Sequence, residues 1–238
     1  PYVVVQQLYF CHNPHQMRIA IIGSQDRVEE LKQKVSSAHT LIEVKNNQFE
    51  GYDLIFDLSF DKDNSRLPFY ATLKNTTVVV SAVNQTVQQM IASCETTLSC
   101  TIGGLNCLPT FINRGLAEMT SLNATDQSLI EQRFNDLDWE IKWVESRVGM
   151  VTPRVVCMII NEAYYTVQEG TASKEDIDTG MKLGTAYPKG PFEWAEQIGI
   201  HDVKNMLEAI YEDTKDERYK ICPLLTQECL NTQMTAQY

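Results

Sequence analysis

The sequence predicts a doubly wound α/β unit followed by an all-helical unit. Three observations carry that expectation. From about residue 17 to 147, short β-rich apolar runs alternate with helical patterns. From about residue 148 onward only helical spacing remains. Near the start, "QMRIAIIGSQDRVEEL" (16–31) runs four apolar residues into Gly23 and then a charged helical pattern. A nucleotide-binding strand, turn and helix begins in that way.

Strands are expected at 18–23, 40–44, 53–59, 76–83, 101–108 and 141–146. Their near-continuous apolar character suits strands covered on both faces of a parallel sheet. Helices are expected between them at 26–35, 65–74, 86–94 and 126–137, with Asp26, Ser65 and Asp126 as N-caps. Pro68 falls in an early turn, where a missing N–H costs least. In the second half, 150–170 reads as a helix stopped by Gly170. The next helix, 173–184, opens with Ser173 capping toward Asp176 and stops on Gly184. Further helices are expected at 190–199, 201–214 and 222–230. The boundaries that follow are an N-terminal arm (1–16), the α/β unit (17–147) and the helical unit (148–238).

Hydrophobic residues make up 43% of the chain, enough for a sizeable core. The net charge of −11 argues against nucleic acid as a partner, because nothing offsets phosphate repulsion. No apolar run approaches the ~18 residues of a membrane span. Seven cysteines without a C-x-x-C read as buried free thiols in a cytoplasmic protein. The four histidines (12, 15, 39 and 201) are scattered, so no metal site is expected.

A dinucleotide fingerprint needs glycines for the tight turn, for approach of the pyrophosphate and for helix–strand packing. The three positions read Gly23, Gln25 and Val28. Gly23, Ser24 and Gln25 are the candidate cofactor-binding turn, and Glu43 stands where an acidic residue would meet a ribose. Gln25 places a side chain in the path of phosphate. Asp26, Glu29 and Glu30 load the positive end of the helix with negative charge.

The most specific stretch is "INEAYYTVQEGTASKEDIDTGMKLGTAYPKGPFEWAEQIGI" (160–200). It resembles the C-terminal helical domain of the 3-hydroxyacyl-CoA dehydrogenases. The elements that carry the likeness are "NEA" (161–163), "EG-AS-EDID" (169–178), "MKLG" (181–184), "YP-GPFE" (187–193) and "IG" (198–199). A weaker likeness extends back through "YDLIFDLSFDK" (52–62), to cover about 17–225. The resemblance implies a Rossmann-like sheet followed by a helical domain of the 6-phosphogluconate/hydroxyacyl-CoA dehydrogenase type. It implies an oxidoreductase of fatty acid metabolism, NAD as cofactor, an acyl-CoA-like ligand, and a homodimer formed through the helical domain.

In that family a histidine takes the substrate's 3-hydroxyl proton as hydride leaves for NAD. A glutamate holds the histidine, and a serine and two asparagines orient the reactants. Carried onto "GLNCLPT" (104–110), the histidine becomes Asn106 and the following asparagine Pro109. The glutamate remains, as Glu118 in "LAEMTS". The serine becomes Asn84 in "AVNQT" (82–86), and the second asparagine becomes Pro153 in "VGMVTPR" (148–154). Glu118, Asn106 and Asn84 are therefore the candidate catalytic positions. An amide takes up no proton at neutral pH, so Asn106 does not replace a histidine base. Glu118 reads as a base only if burial raises it, and otherwise as a remnant bonded to Asn106 or solvated.

Only seven residues separate the strands at 40–44 and 52–58, too few for a helical crossover, which takes roughly a dozen. The adenosine-side wall and a CoA contact are expected to be missing. These residues favour a diverged member, a pseudoenzyme that binds a ligand or partner without hydride transfer. The alternative is an active NAD-dependent 3-hydroxyacyl-CoA (3-hydroxybutyryl-CoA) dehydrogenase. A third reading makes Glu118 the base of another reaction in the same cleft.

Overall fold

The computed structural model describes residues 16–92 and 97–235. The expected arm, with Cys11, His12 and His15, lies outside them, as does Cys94. The seven strands are β1 (Arg18–Ile22), β2 (Thr40–Glu43), β3 (Leu54–Asp57), β4 (Thr77–Ser81), β5 (Thr101–Leu105), β6 (Leu116–Ser121) and β7 (Glu140–Trp143). They form one sheet in the order β2-β1-β3-β4-β5-β6-β7. β1 to β5 run parallel. β6 is antiparallel to β5, and β7 is parallel to β6. All six expected strands are present.

The strand not anticipated is β6. Glu118 and Thr120 interrupt its apolar pattern, yet both side chains are buried. The Glu118 carboxylate is met by backbone amides outside the sheet, a relation that periodicity does not carry.

Four helices accompany the sheet: α1 (Gln25–Lys34), α2 (Leu67–Ala71), α3 (Val87–Ala92) and α4 (Ala124–Asp136). None starts at its expected cap. α1 begins after Ser24, so Asp26 is already inside the helix. α2 is one short turn preceded by Arg66, and Ser65 instead donates its backbone N–H to Asp63. α4 is capped by Asn123, whose side chain accepts from the Asp126 amide at 2.9 Å. For Asp26 and Asp126 the physical reason is shared: a carboxylate in the first turn suits the helix dipole as well as one at the cap.

The expected lack of a helix between β2 and β3 is observed. The chain passes over β1 as an extended loop anchored by Phe49, which is fully buried with its ring 4.8 Å from that of Tyr70. Phe49, Tyr70, Phe60 and Leu67 fill the face that a crossover helix would cover.

Five helices follow: α5 (Thr152–Gln168), α6 (Lys174–Thr185), α7 (Pro191–Ile198), α8 (Ile200–Thr214) and α9 (Pro223–Thr235). Gly170 takes the left-handed φ of 71° expected after α5. Ser173 caps α6 by accepting from the Asp176 amide. α6 does not stop at Gly184; it runs one residue further and ends on Ala186, itself left-handed at φ 56°. α8 packs on α5, and their core takes in Val83, Leu108 and Phe111 from the sheet side. The two halves therefore share one apolar interior. No helix among the described residues is long and apolar enough to cross a membrane.

The five described cysteines are free and buried. Burial pushes the Cys100 thiol up to about 11 and Cys157 up to about 12. Both therefore stay protonated and poorly nucleophilic at pH 8. Titration of the folded chain with a thiol reagent at that pH is expected to report no more than Cys11 and Cys94 promptly. All seven cysteines should react in denaturant.

Candidate functional site

Glu118 sits in the middle of β6, and Asn106 immediately follows β5. The two strands pair, and the Asn106 amide donates to the Glu118 carbonyl at 3.0 Å. Across β7, Glu118 stands in register with Lys142. Sheet pairing thus brings two of the expected catalytic positions to one place. Above them, between β6, β7 and the start of α5, lies a cavity of about 340 Å³. Phe111, Leu116, Val144 and Val151 supply its apolar wall, and Asn106, Glu118, Arg114 and Lys142 its polar groups.

The Glu118 carboxylate bonds neither to the Asn106 side chain nor to solvent alone, as the sequence suggested. It reaches across to the first turn of α5. The Val151 amide donates to Oε1, and the Thr152 amide donates to Oε1 at 3.3 Å and Oε2 at 3.1 Å. α5 has no capping side chain of its own. A helix start leaves its first amides without partners, so Glu118 acts as an N-cap delivered from the sheet. The Asn106 Oδ1 accepts from the Leu108 amide at 3.3 Å. That bond leaves its Nδ2 as a donor toward the cavity. No histidine among the described residues lines the cavity. His39 is buried beside Met17, and His201 lies on α8 at a different surface.

Asn84 is not brought to this cavity. It follows β4, and its amide donates to Asp61 Oδ2 at 3.3 Å. The buried Oδ1 atoms of Asn84 and Asp61 accept no hydrogen bond from the described residues.

The β1–α1 turn is closed against the sheet. A Cβ on Gly23 would meet the Cβ of Leu58 at 2.9 Å, so this glycine serves the approach of the turn to the residue after β3. Behind it, Arg27 is almost wholly buried. Its guanidinium donates to the Leu58 carbonyl and to Asp202 of α8 at 3.0 Å, and Lys62 pairs with the same carboxylate. Nothing in "DRVEEL" marks Arg27 as buried. Burial raises Asp26, but hydrogen bonds from the Ser24 hydroxyl and the Arg27 and Asp26 amides outweigh it and hold the carboxyl below its usual range. Gln25 bonds to Glu29, and Glu43 to Lys32.

These residues do not fit the pyrophosphate of NAD. The amides that would cradle it already serve Asp26, and phosphate approaching there would meet that ionised carboxylate. Glu43 is engaged with Lys32 rather than presented to a ribose. Among the described residues no group of three or more His, Cys, Asp or Glu side chains is arranged to hold a metal ion.

A seven-stranded sheet in which β6 turns antiparallel to β5, carrying a helical unit whose core takes in residues that follow β4, β5 and β7, is a two-part architecture that solved dehydrogenase structures share. Residues 149–237 match the family model described as 3-hydroxyacyl-CoA dehydrogenase, C-terminal domain. A 3-hydroxybutyryl-CoA dehydrogenase of Bradyrhizobium diazoefficiens is 28% identical over 208 residues, covering 84% of this chain and 70% of that protein. The 3-hydroxyadipyl-CoA dehydrogenase of Escherichia coli is 46% identical over 82 residues, which are 34% of this chain and 17% of that one. The crystal structure of (S)-3-hydroxybutyryl-CoA dehydrogenase from Ralstonia eutropha shares the fold with a TM-score of 0.70 at 17% identity, over 92% of this chain and 95% of that one. Residues 149–237 thus carry the likeness to the C-terminal domain of 3-hydroxyacyl-CoA dehydrogenases, and over most of its length the chain is similar to 3-hydroxybutyryl-CoA dehydrogenases.

If Glu118 is chiefly a cap, Glu118→Ala is expected to cost about 2 kcal/mol of stability, from the lost cap and charge-assisted bonds. Glu118→Gln, which keeps one acceptor oxygen, should cost less than half of that. Urea unfolding of both variants checks the order; a neutral Glu118→Ala would remove the capping role.

Proposed function

We propose that this chain binds an acyl-type ligand in the cavity floored by Asn106 and Glu118, and that it does not carry out histidine-dependent hydride transfer. The observation that supports this is the state of the two residues at the base and partner positions. One is an amide, and the other has both oxygens committed to α5. The closed β1–α1 turn supports it independently, since hydride transfer in this family uses NAD.

A second reading has a specific observation in its favour. The relatives are named as dehydrogenases, and nothing in their similarity to this chain points to lost activity. It makes the chain an NAD-dependent 3-hydroxyacyl-CoA dehydrogenase that oxidises the 3-hydroxyl of an acyl-CoA. Loss of NADH absorbance with acetoacetyl-CoA separates the two. The binding reading expects no turnover above background and no NADH affinity below the millimolar range. Steady turnover by the unmodified chain would refute it and establish the second reading.

The helical unit is proposed to form a homodimer. α6 buries none of its residues, and Leu183 is 83% exposed on it. Val155 of α5 and Leu230 of α9 are more than half exposed as well. Light scattering at micromolar concentration is expected to give twice the chain mass. Leu183→Glu should shift the mass toward the monomer; a monomer in the unmodified chain would refute the dimer.

A further inference from the structure

We infer that the cavity over β6 and β7 takes a free short-chain carboxylic acid, with Arg114 and Lys142 holding the carboxylate. The inference deepens the proposal that this cavity binds rather than oxidises, and it rests on that reading. It starts from the polarity of the lining. Lys142 makes no ion pair or hydrogen bond with the described residues, although it stands in register with Glu118. Arg114 spends only its Nε, which donates to the Thr110 carbonyl at 2.6 Å. Its terminal nitrogens donate to none of the described residues. The Asn106 Nδ2 adds a third donor that the described residues leave unused.

The only acceptor with a charge is Glu118, and the Val151 and Thr152 amides already take both of its oxygens. Two cations and the positive end of α5 outweigh that one carboxylate. A lining whose cations outnumber its one amide-bound carboxylate selects a ligand rich in acceptors, and a carboxylate is the simplest that also carries an apolar tail.

Arg114 is also held in place. Its guanidinium lies 5.4 Å from the centre of the Phe111 ring and 5.1 Å from that of Trp194 on α7. Those two rings stack at 5.7 Å and 12°. A guanidinium fixed on aromatic faces loses little freedom on binding an anion, which favours affinity. Phe111, Leu116, Val144 and Val151 supply the apolar surface for the tail. At roughly 30 Å³ for each water-sized group, the cavity holds about ten non-hydrogen atoms. That accommodates a six-carbon acid.

Calorimetric titration of the full chain with hexanoate, and with hexanamide as the uncharged isostere, tests the assignment. Hexanoate is expected to bind at least about tenfold more tightly than the amide, the difference of one well-placed charge contact. Lys142→Met changes an exposed side chain without partners, so the fold should survive. That variant is expected to weaken hexanoate about tenfold and leave hexanamide unchanged. Arg114→Leu, checked for folding by circular dichroism, should do the same. Equal affinity for acid and amide, no heat with millimolar hexanoate, or unchanged hexanoate affinity in Lys142→Met would overturn the inference. Turnover of acetoacetyl-CoA, measured separately, decides the preceding reading. Turnover together with charge-dependent hexanoate binding would refute that reading and keep this site, whereas neither turnover nor hexanoate binding would refute the site alone.

Discussion

The structure depends on one carboxylate reaching from a strand to the start of a helix. Glu118 lies within β6, where it makes no ion pair with Lys142, its neighbour in the β7 register. α5 opens without a capping side chain, so its first amides would otherwise have no protein partner. Each defect is the remedy for the other. A buried carboxylate is tolerated when amide donors surround it, and the amides at a helix start are tolerated when an anion meets them. α5 in turn carries much of the helical core, through Cys157, Ile160 and Tyr164. One bond set therefore fixes how the helical unit sits on the sheet. A carboxylate already bonded through both oxygens is less available to orient a further side chain.

A second bridge joins the two units on the other side of the sheet. Arg27 leaves the first turn of α1, passes beneath the glycine turn and meets Asp202 on α8. Its charge is shared between a carbonyl and a carboxylate, which is how a guanidinium is kept inside a fold. The turn above it then has no freedom to open toward a phosphate. Gly23 keeps the small size that the fingerprint demands, but the space it leaves is taken by Leu58. The β1–α1 unit has become a joint between sheet and helices, and the positive end of α1 is spent on Asp26.

The arrangement of the sheet was legible because its inner strands are nearly pure apolar runs. The helical unit was legible because its amphipathic spacing and the residues from 160 to 200 agree. What stayed hidden is instructive in each case. β6 was missed because Glu118 and Thr120 break its pattern, and only the α5 amides make a glutamate reasonable there. The caps were misplaced because acidic residues suit several positions in a first turn. Asn106 and Glu118 were found together through family spacing, and β5–β6 pairing puts them side by side. Asn84 was drawn from the same family pattern, yet it faces Asp61 instead. Arg27, Arg114 and Lys142 gave no signal, since a lone basic residue reads the same whether it is buried, stacked on rings or solvated.

The positive lining of the cavity has to be weighed against an acidic chain. A net charge of −11 repels anions at long range. At physiological ionic strength that field is largely screened beyond about 8 Å. Inside the cavity the nearest charges decide, and these are Arg114 and Lys142 beside a Glu118 whose charge is already shared with two amides. Apolar walls lower the local dielectric and strengthen those near interactions relative to the distant ones. The far field should therefore slow the arrival of an anion more than it weakens the anion's hold once bound. A cavity built in this way discriminates by charge at short range.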